Sequence, residues 1–202
     1  LEKMTKKQQD IILAACREFE VHGFAGTGME QIADAAKVSK RTLYKYYNCK
    51  EAVFSAIISY LHQNDNFREW PEYDARVPVR EQLEAVIRAM LTHLNRVEHI
   101  RLARIVISGV AGKPELGEIL VQAVDFSAKP PFRWIKAAME DGQLRNGDPG
   151  KALFYLVGLV RTVALWPRLM FCATPLSERE LVGAATECAD FFLAYYLAAS
   201  CR

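Results

Sequence analysis

The sequence predicts an all-α protein on three observations. Apolar residues recur at three- and four-residue spacings along nearly the whole chain, no alternating run flanked by hairpin turns is present, and Gly and Pro fall where helices should stop. Thr5 is placed to cap a first helix whose Ile12, Ala15, Cys16 and Phe19 share one face, with Gly23 as its stop. After a loop at Phe24 to Gly28, Met29, Ile32, Ala33 and Ala36 mark a short second helix. The break Lys37-Val38-Ser39 precedes a third, Lys40 to Tyr47, with Ser39 as N-cap and Leu43 and Tyr47 four apart on the inner side. Asn48 or Cys49 opens a longer helix with Val53, Phe54, Ile57, Ile58 and Leu61 on its buried stripe. Beyond a polar stretch from Gln63 to Pro78, helices are expected at about 79–97, 100–111 and 114–127, the last with Pro114 in its first turn. Pro130-Pro131 forces a break, because neither proline supplies an amide donor, and a new helix runs from there to about Asp141. Asp141-Gly142 and Asn146-Gly147-Asp148-Pro149 are turn signals, after which two long apolar helices span about 149–171 and 178–200. Residues 1–50 then form a small three-helix domain and residues 51–202 a larger helical one.

Composition narrows the function. A hydrophobic fraction of 51% and a charged fraction of 25% are those of a folded globular chain. No uninterrupted apolar run reaches the roughly 18 residues of a membrane-spanning helix, and the basic start Lys3, Lys6, Lys7 is not followed by a secretory apolar core. A cytoplasmic address without membrane contact is expected, and the start at Leu1 leaves room for a few residues upstream. Five scattered cysteines without a C-x-x-C pair suggest neither a disulfide framework nor a zinc site. His22, His62, His93 and His99 lack metal-ligand spacing, and no dinucleotide fingerprint, phosphate loop or nucleophile elbow is found. No cofactor, metal or enzymatic activity is expected.

Charge is distributed unevenly. Residues 1–51 carry nine Lys/Arg against seven acids, whereas the remainder holds 17 of each sign. Lys37 to Lys50 contains five basic residues, no acid and three tyrosines, the composition of a polyanion-binding surface. This stretch reads as the second half of a helix-turn-helix. Such a motif needs small or apolar residues inside, a short turn, and donors and cations on the outer face of the second helix, which lies in the major groove. Lys40 and Arg41 can donate to guanine edges and Thr42 can meet a thymine methyl or a phosphate. Tyr44, Tyr46 and Lys50 suit phosphates, which fix register without reading sequence.

The run from Ile32 to Phe54, I-A-D-A-A-K-V-S-K-R-T-L-Y-K-Y-Y-N-C-K-E-A-V-F, resembles the signature of the TetR family of regulators, usually I-A-x-x-A-G-V-S-x-x-T-L-Y-x-x-F-x-x-K-E-x-L-F. The close resemblance covers about residues 8 to 58. It implies a bacterial homodimeric repressor that holds double-stranded DNA at a palindromic operator and is released by a small effector. On these positions it implies DNA contacts from Gly28, Met29, Ser39, Lys40, Arg41, Thr42, Tyr44, Tyr46 and Lys50. Three departures stand out. Gly28 replaces a capping Thr, Lys37 replaces the turn Gly and so needs a positive φ, and Tyr47 replaces a Phe.

The resemblance also implies dimerisation through the last two helices. Here these are the most apolar segments, Leu153 to Trp166 and Cys188 to Ala199, with Phe191, Phe192, Tyr195 and Tyr196. An implied pocket among the middle helices, lined by Leu91, Ile105, Phe126, Trp134 and Phe154, would take a lipophilic or aromatic effector. Two rival readings remain at this point: a helical ligand-binding or protein-interaction module without DNA binding, and a redox-sensing regulator using Cys49 beside the basic helix.

Overall fold

The computed structural model describes residues 4–63, 70–123 and 129–198. Every regular element among them is an α-helix, in the order α1 (Lys6–Gly26), α2 (Met29–Ala35), α3 (Lys40–Tyr46), α4 (Lys50–Gln63), α5 (Val79–Leu94), α6 (Val97–Gly112), α7 (Leu116–Ala123), α8 (Pro130–Glu140), α9 (Pro149–Ala164), α10 (Trp166–Phe171) and α11 (Glu178–Tyr196). The chain divides into two compact units, Leu1–Asp65 with Arg101–Val124, and Asn66–Ile100 with Asp125–Arg202. The first unit therefore runs past the expected boundary at residue 50. Val53, Phe54, Ile57 and Ile58 of α4 are fully buried in the same core as the helix-turn-helix, and Leu102, Ile105, Val106 and Leu116 join them.

In the first unit, Thr5 caps α1 reciprocally with Gln8, and Gly23, at φ 70°, breaks the helical path as expected, leaving one further turn to Gly26. Ile11, Ile12, Ala15 and Phe19 form the inner face, and Phe24 packs at a tilt against Phe19 and edge-on against Phe54. α6 passes so close to α4 that a Cβ at Gly109 would lie 2.8 Å from the Phe54 ring. Tyr47 closes the core below Leu43, and its buried hydroxyl finds no partner among the described residues. Burial pushes this phenol's pKa up. Phenylalanine fills the same space without an orphaned hydroxyl, so Tyr47→Phe is expected to raise unfolding free energy in urea by about 1 kcal/mol. An unchanged or lowered midpoint would show that the hydroxyl is satisfied in solution.

The second unit is built on α5, whose Leu83, Val86, Ile87, Met90 and Leu91 pack among α8, α9 and α11. Each such leucine taken out of water contributes about 1.5–3 kcal/mol. Pro130 and Pro131 occupy the first turn of α8, where missing amide donors cost nothing, and Asp148 caps α9 through Gly150 N at 2.8 Å. The expected single helix over 149–171 is two, because the backbone turns at Leu165 ahead of Pro167. Arg168 of α10 is buried and donates to the Leu94 carbonyl at 3.2 Å and to Asn95 Oδ1, satisfying the end of α5. α11 opens on a reciprocal Ser177–Glu180 cap and ends at Tyr196 rather than at 200, where Leu197 bridges to Leu144 and Arg145 N–H donates to the Tyr196 carbonyl at 2.7 Å.

The outward sides of α9, α10 and α11 carry many exposed apolar residues beside a few charges such as Lys151, Arg161 and Glu187. Phe154 is 74% and Phe191 64% exposed, and Tyr155, Trp166, Met170, Phe171, Val182 and Tyr195 are exposed with them. Phe192 and Tyr196, expected on this face, turn inward and stack on each other at 4.6 Å in the core. The stretch Pro149–Phe171 has the length and composition to cross a membrane, though Lys151, Arg161 and Arg168 interrupt it, and a third of it is buried.

Candidate nucleic-acid interface

Residues 36–39 join α2 to α3. The Val38 N–H donates to the Ala33 carbonyl and the Lys37 N–H to the Asp34 carbonyl, both at 3.0 Å, the bond pair of a Schellman stop. Lys37 takes the left-handed place at φ 55°, which costs a non-glycine residue about 1 kcal/mol. The turn survives because Val38 packs against the core behind it. Ser39 caps α3, its Oγ accepting from Thr42 N–H at 3.1 Å. Ile32, Ala33 and Leu43 are fully buried, so α2 and α3 meet through small and apolar surfaces as a helix-turn-helix requires.

This packing turns Lys40, Arg41, Tyr44 and Lys45 outward, with Lys37 exposed beside them. Arg41 carries no ion pair among the described residues. Lys40 is paired with Glu30 of α2, which raises its pKa through the hydrogen bond, but both ends are exposed and the pair adds little stability. The hydroxyls of Ser39 and Thr42 bond to each other at 2.8 Å, so each already serves the cap. Tyr46 and Met29 are half-buried and lean on the core. Gly28 caps α2 without a side chain, its N–H donating to Gln31 Oε1 at 2.6 Å.

Lys50, expected to meet a phosphate, is held by the chain itself in this structure. Its ammonium does not extend toward solvent but donates to the carbonyls of Phe24 at 2.5 Å, Thr27 at 2.7 Å and Ala25 at 3.3 Å, and lies 4.6 Å from the centre of the Phe24 ring. A cation is held there because Gly23 ends the regular path of α1 and leaves carbonyls to be satisfied where α4 begins. Three further contacts escaped the sequence reading. Thr27, buried, donates its hydroxyl to the carbonyls of Gly23 and Glu18 at 2.8 and 3.1 Å. Arg101 grips Glu20 with two hydrogen bonds, and Lys113 pairs with Glu51 at 2.6 Å; each cation holds its partner carboxyl below the usual range. Only the carbonyls left open beyond Gly23, together with the lysine that opens α4, could have pointed to the Lys50 clip.

Of the five residues expected to line one pocket, four fall among the described residues. Leu91 and Trp134 lie in the core of the second unit, Ile105 in that of the first, and Phe154 on the surface, because α9 turns Leu153 and Leu156 inward instead; Phe126 falls outside the described residues. No cluster of three or more metal-ligating side chains occurs among the described residues. Burial pushes the Cys16 thiol up to about 12 and the Cys188 thiol up to about 11, whereas Cys49 is exposed next to Lys50. Alkylation of native protein at neutral pH, mapped by mass spectrometry, is expected to modify Cys49 and spare Cys16 and Cys188. Modification of Cys16 ahead of Cys49 would mean that the first core opens readily.

Residues 11–57 match the family profile described as bacterial regulatory proteins, tetR family, and residues 81–198 match that of the C-terminal domain of AefR-like transcriptional repressors. The helix-turn-helix transcriptional regulator YhgD of Bacillus subtilis is 25% identical over 155 residues, covering 74% of this chain and 78% of its own. RutR of Escherichia coli is 42% identical over 55 residues, 27% of this chain and 26% of its own. A solved TetR family transcriptional regulator from Pseudomonas syringae pv. tomato superposes with a TM-score of 0.82 at 30% identity, over 96% of this chain and 98% of that one. The flavonoid-responsive regulator FrrA superposes at 0.73 with 26% identity, over 95% and 97%.

Proposed function

The chain belongs to the TetR family of bacterial transcriptional regulators, and from that premise we propose a homodimeric repressor that reads a near-palindromic operator through α3 and lets go when a small aromatic effector binds. The observation that carries the reading is the outward face of α3, where Arg41 stands free with Lys37, Lys40, Tyr44 and Lys45 around it on a rigid helix-turn-helix. Arg41 reads base edges, Lys40 joins it after leaving Glu30, and Tyr44 and Lys45 meet phosphates. Lys50 acts from behind by fixing the start of α4 to the end of α1.

The exposed apolar sides of α9 and α11 support the homodimer, since a face of this size is costly in water. Two glycines between its aromatics, Gly158 on α9 and Gly183 on α11, let partner helices approach closely. Two-fold symmetry then sets the α3 helices of the pair about 34–36 Å apart, one turn of duplex. The kinship with FrrA supports an aromatic effector. No catalytic role is assigned, and the site of action is the bacterial cytoplasm, where the operator lies.

Selection of the purified protein on a randomised duplex library, sequenced after retention at moderate salt, tests the proposal. A palindrome with half-sites one turn apart is expected. Arg41→Ala is expected to weaken binding to that palindrome about 10- to 100-fold and relax preference at one position per half-site. No enrichment over random sequence would overturn the regulator reading.

A further inference from the structure

We propose that the second unit holds its effector at a cationic, aromatic cleft on α5, and that the effector is a small aromatic carboxylate. The inference rests on the regulator reading and names the chemistry of its ligand. The cleft has a volume of about 240 Å³, below the range for drug-sized ligands, which suits an acid of one or two rings. Its floor is one stripe of α5: Ala85, Ala89 and Thr92 are small and leave the space open. Arg88 lies beside that stripe between Ala85 and Ala89, and Arg96 just beyond the C-terminal end of α5; both are exposed at the rim. Trp70 supplies an aromatic wall, and Pro71 and His93 complete the lining.

The charge is what selects the ligand. None of the eight lining residues is an acid, and neither Arg88 nor Arg96 has an ion pair among the described residues. Three other arginines of this unit are used internally: Arg76 on Asp74, Arg80 on Glu84 and Asp190, Arg168 on the end of α5. Two guanidiniums without an ion pair at one cleft each present a planar fork that a carboxylate can meet. Trp70 offers a flat apolar face for the ring that bears it, and a ring between indole and guanidinium is held on both faces. An uncharged aromatic would fill the space and leave the cations unanswered. This cationic cleft differs in chemistry from the apolar pocket expected from the sequence.

The test is calorimetric titration of the full-length protein with benzoate, 2-naphthoate and indole-3-acetate, each set against its neutral amide. At least one acid is expected to bind tenfold or more tightly than its amide, to quench tryptophan fluorescence, and to lose tenfold or more in Arg88→Gln or Arg96→Gln. Both arginines are exposed, so these variants should fold, and coincident thermal midpoints without ligand confirm it. Quenching should disappear in Trp70→Phe and persist in Trp166→Phe. Acids and amides that bind alike, acids that fail up to 10 mM, or binding indifferent to the paired Arg88→Gln, Arg96→Gln variant would overturn the proposal. The same preparation is assayed for operator binding before and after ligand. Arginine-dependent acid binding by a protein that holds no DNA would overturn the regulator reading and keep the cleft, whereas operator binding with no acid preference would do the reverse.

Discussion

Phe191→Glu is expected to elute as a monomer in size-exclusion chromatography with light scattering and to lose at least a hundredfold in operator affinity while keeping its helical circular dichroism. Phe191 is 64% exposed on α11, so the substitution disturbs no interior packing of the chain that carries it. Its cost falls on the dimer, where each copy would bury a carboxylate at an isologous contact. A monomer reaches one half-site only, and the second head no longer binds at high effective concentration. Phe192→Glu is the informative contrast: Phe192 is buried beside Tyr196, and a charge there should unfold the second unit outright. A Phe191→Glu protein that stays dimeric would move the interface off α9 and α11.

Lys50→Met is expected to lower stability by about 2–3 kcal/mol and to weaken operator binding in parallel. Methionine keeps the length and apolar stem of lysine, so the change isolates the ammonium. What is lost is a charged donor to three carbonyls, two of them at 2.5 and 2.7 Å, together with its contact on the Phe24 ring. The Phe24 and Thr27 carbonyls that remain are partly buried and poorly placed to recover water. Lys50→Arg should recover part of the stability, because a planar fork cannot gather three acceptors around one atom. Urea unfolding followed by circular dichroism gives the first quantity and a fluorescence titration with operator duplex the second. Weakened DNA binding at unchanged stability would return Lys50 to the phosphate backbone.

The helices were legible because each of their ends has a local chemical cause. Thr5, Ser39, Asp148 and Ser177 are side-chain caps, Gly23 and Gly142 hold positive φ, and prolines stand in the first turns of α8 and α9. The turn of the helix-turn-helix was legible down to the left-handed Lys37. Burial within a helix was less so. Phe154 and Leu153 are neighbours of similar hydrophobicity, and only the tertiary partner of α9 decides which one faces the core. Phe191 and Phe192 pose the same problem. The inward turn of Lys50 depends on carbonyls 23 to 26 residues earlier in the chain, and the cleft on α5 depends on Trp70, which lies outside that helix altogether. Contacts of that span have no periodic signature.

The pairing of Lys40 with Glu30 bears on how the complex responds to ionic strength. A cation that is free in solution sheds a condensed ion from DNA when it docks, adding about −0.9 to the slope of log affinity against log salt concentration. Lys40 brings its own tethered anion to the encounter. That pair must open as Lys40 transfers to the duplex, and salt, by screening the pair, lowers the cost of opening it and so offsets part of the affinity that salt removes from the phosphate contacts. The operator complex should therefore be less salt-sensitive than a tally of its basic residues implies, and Glu30→Gln should steepen the slope toward that tally while strengthening binding at low salt.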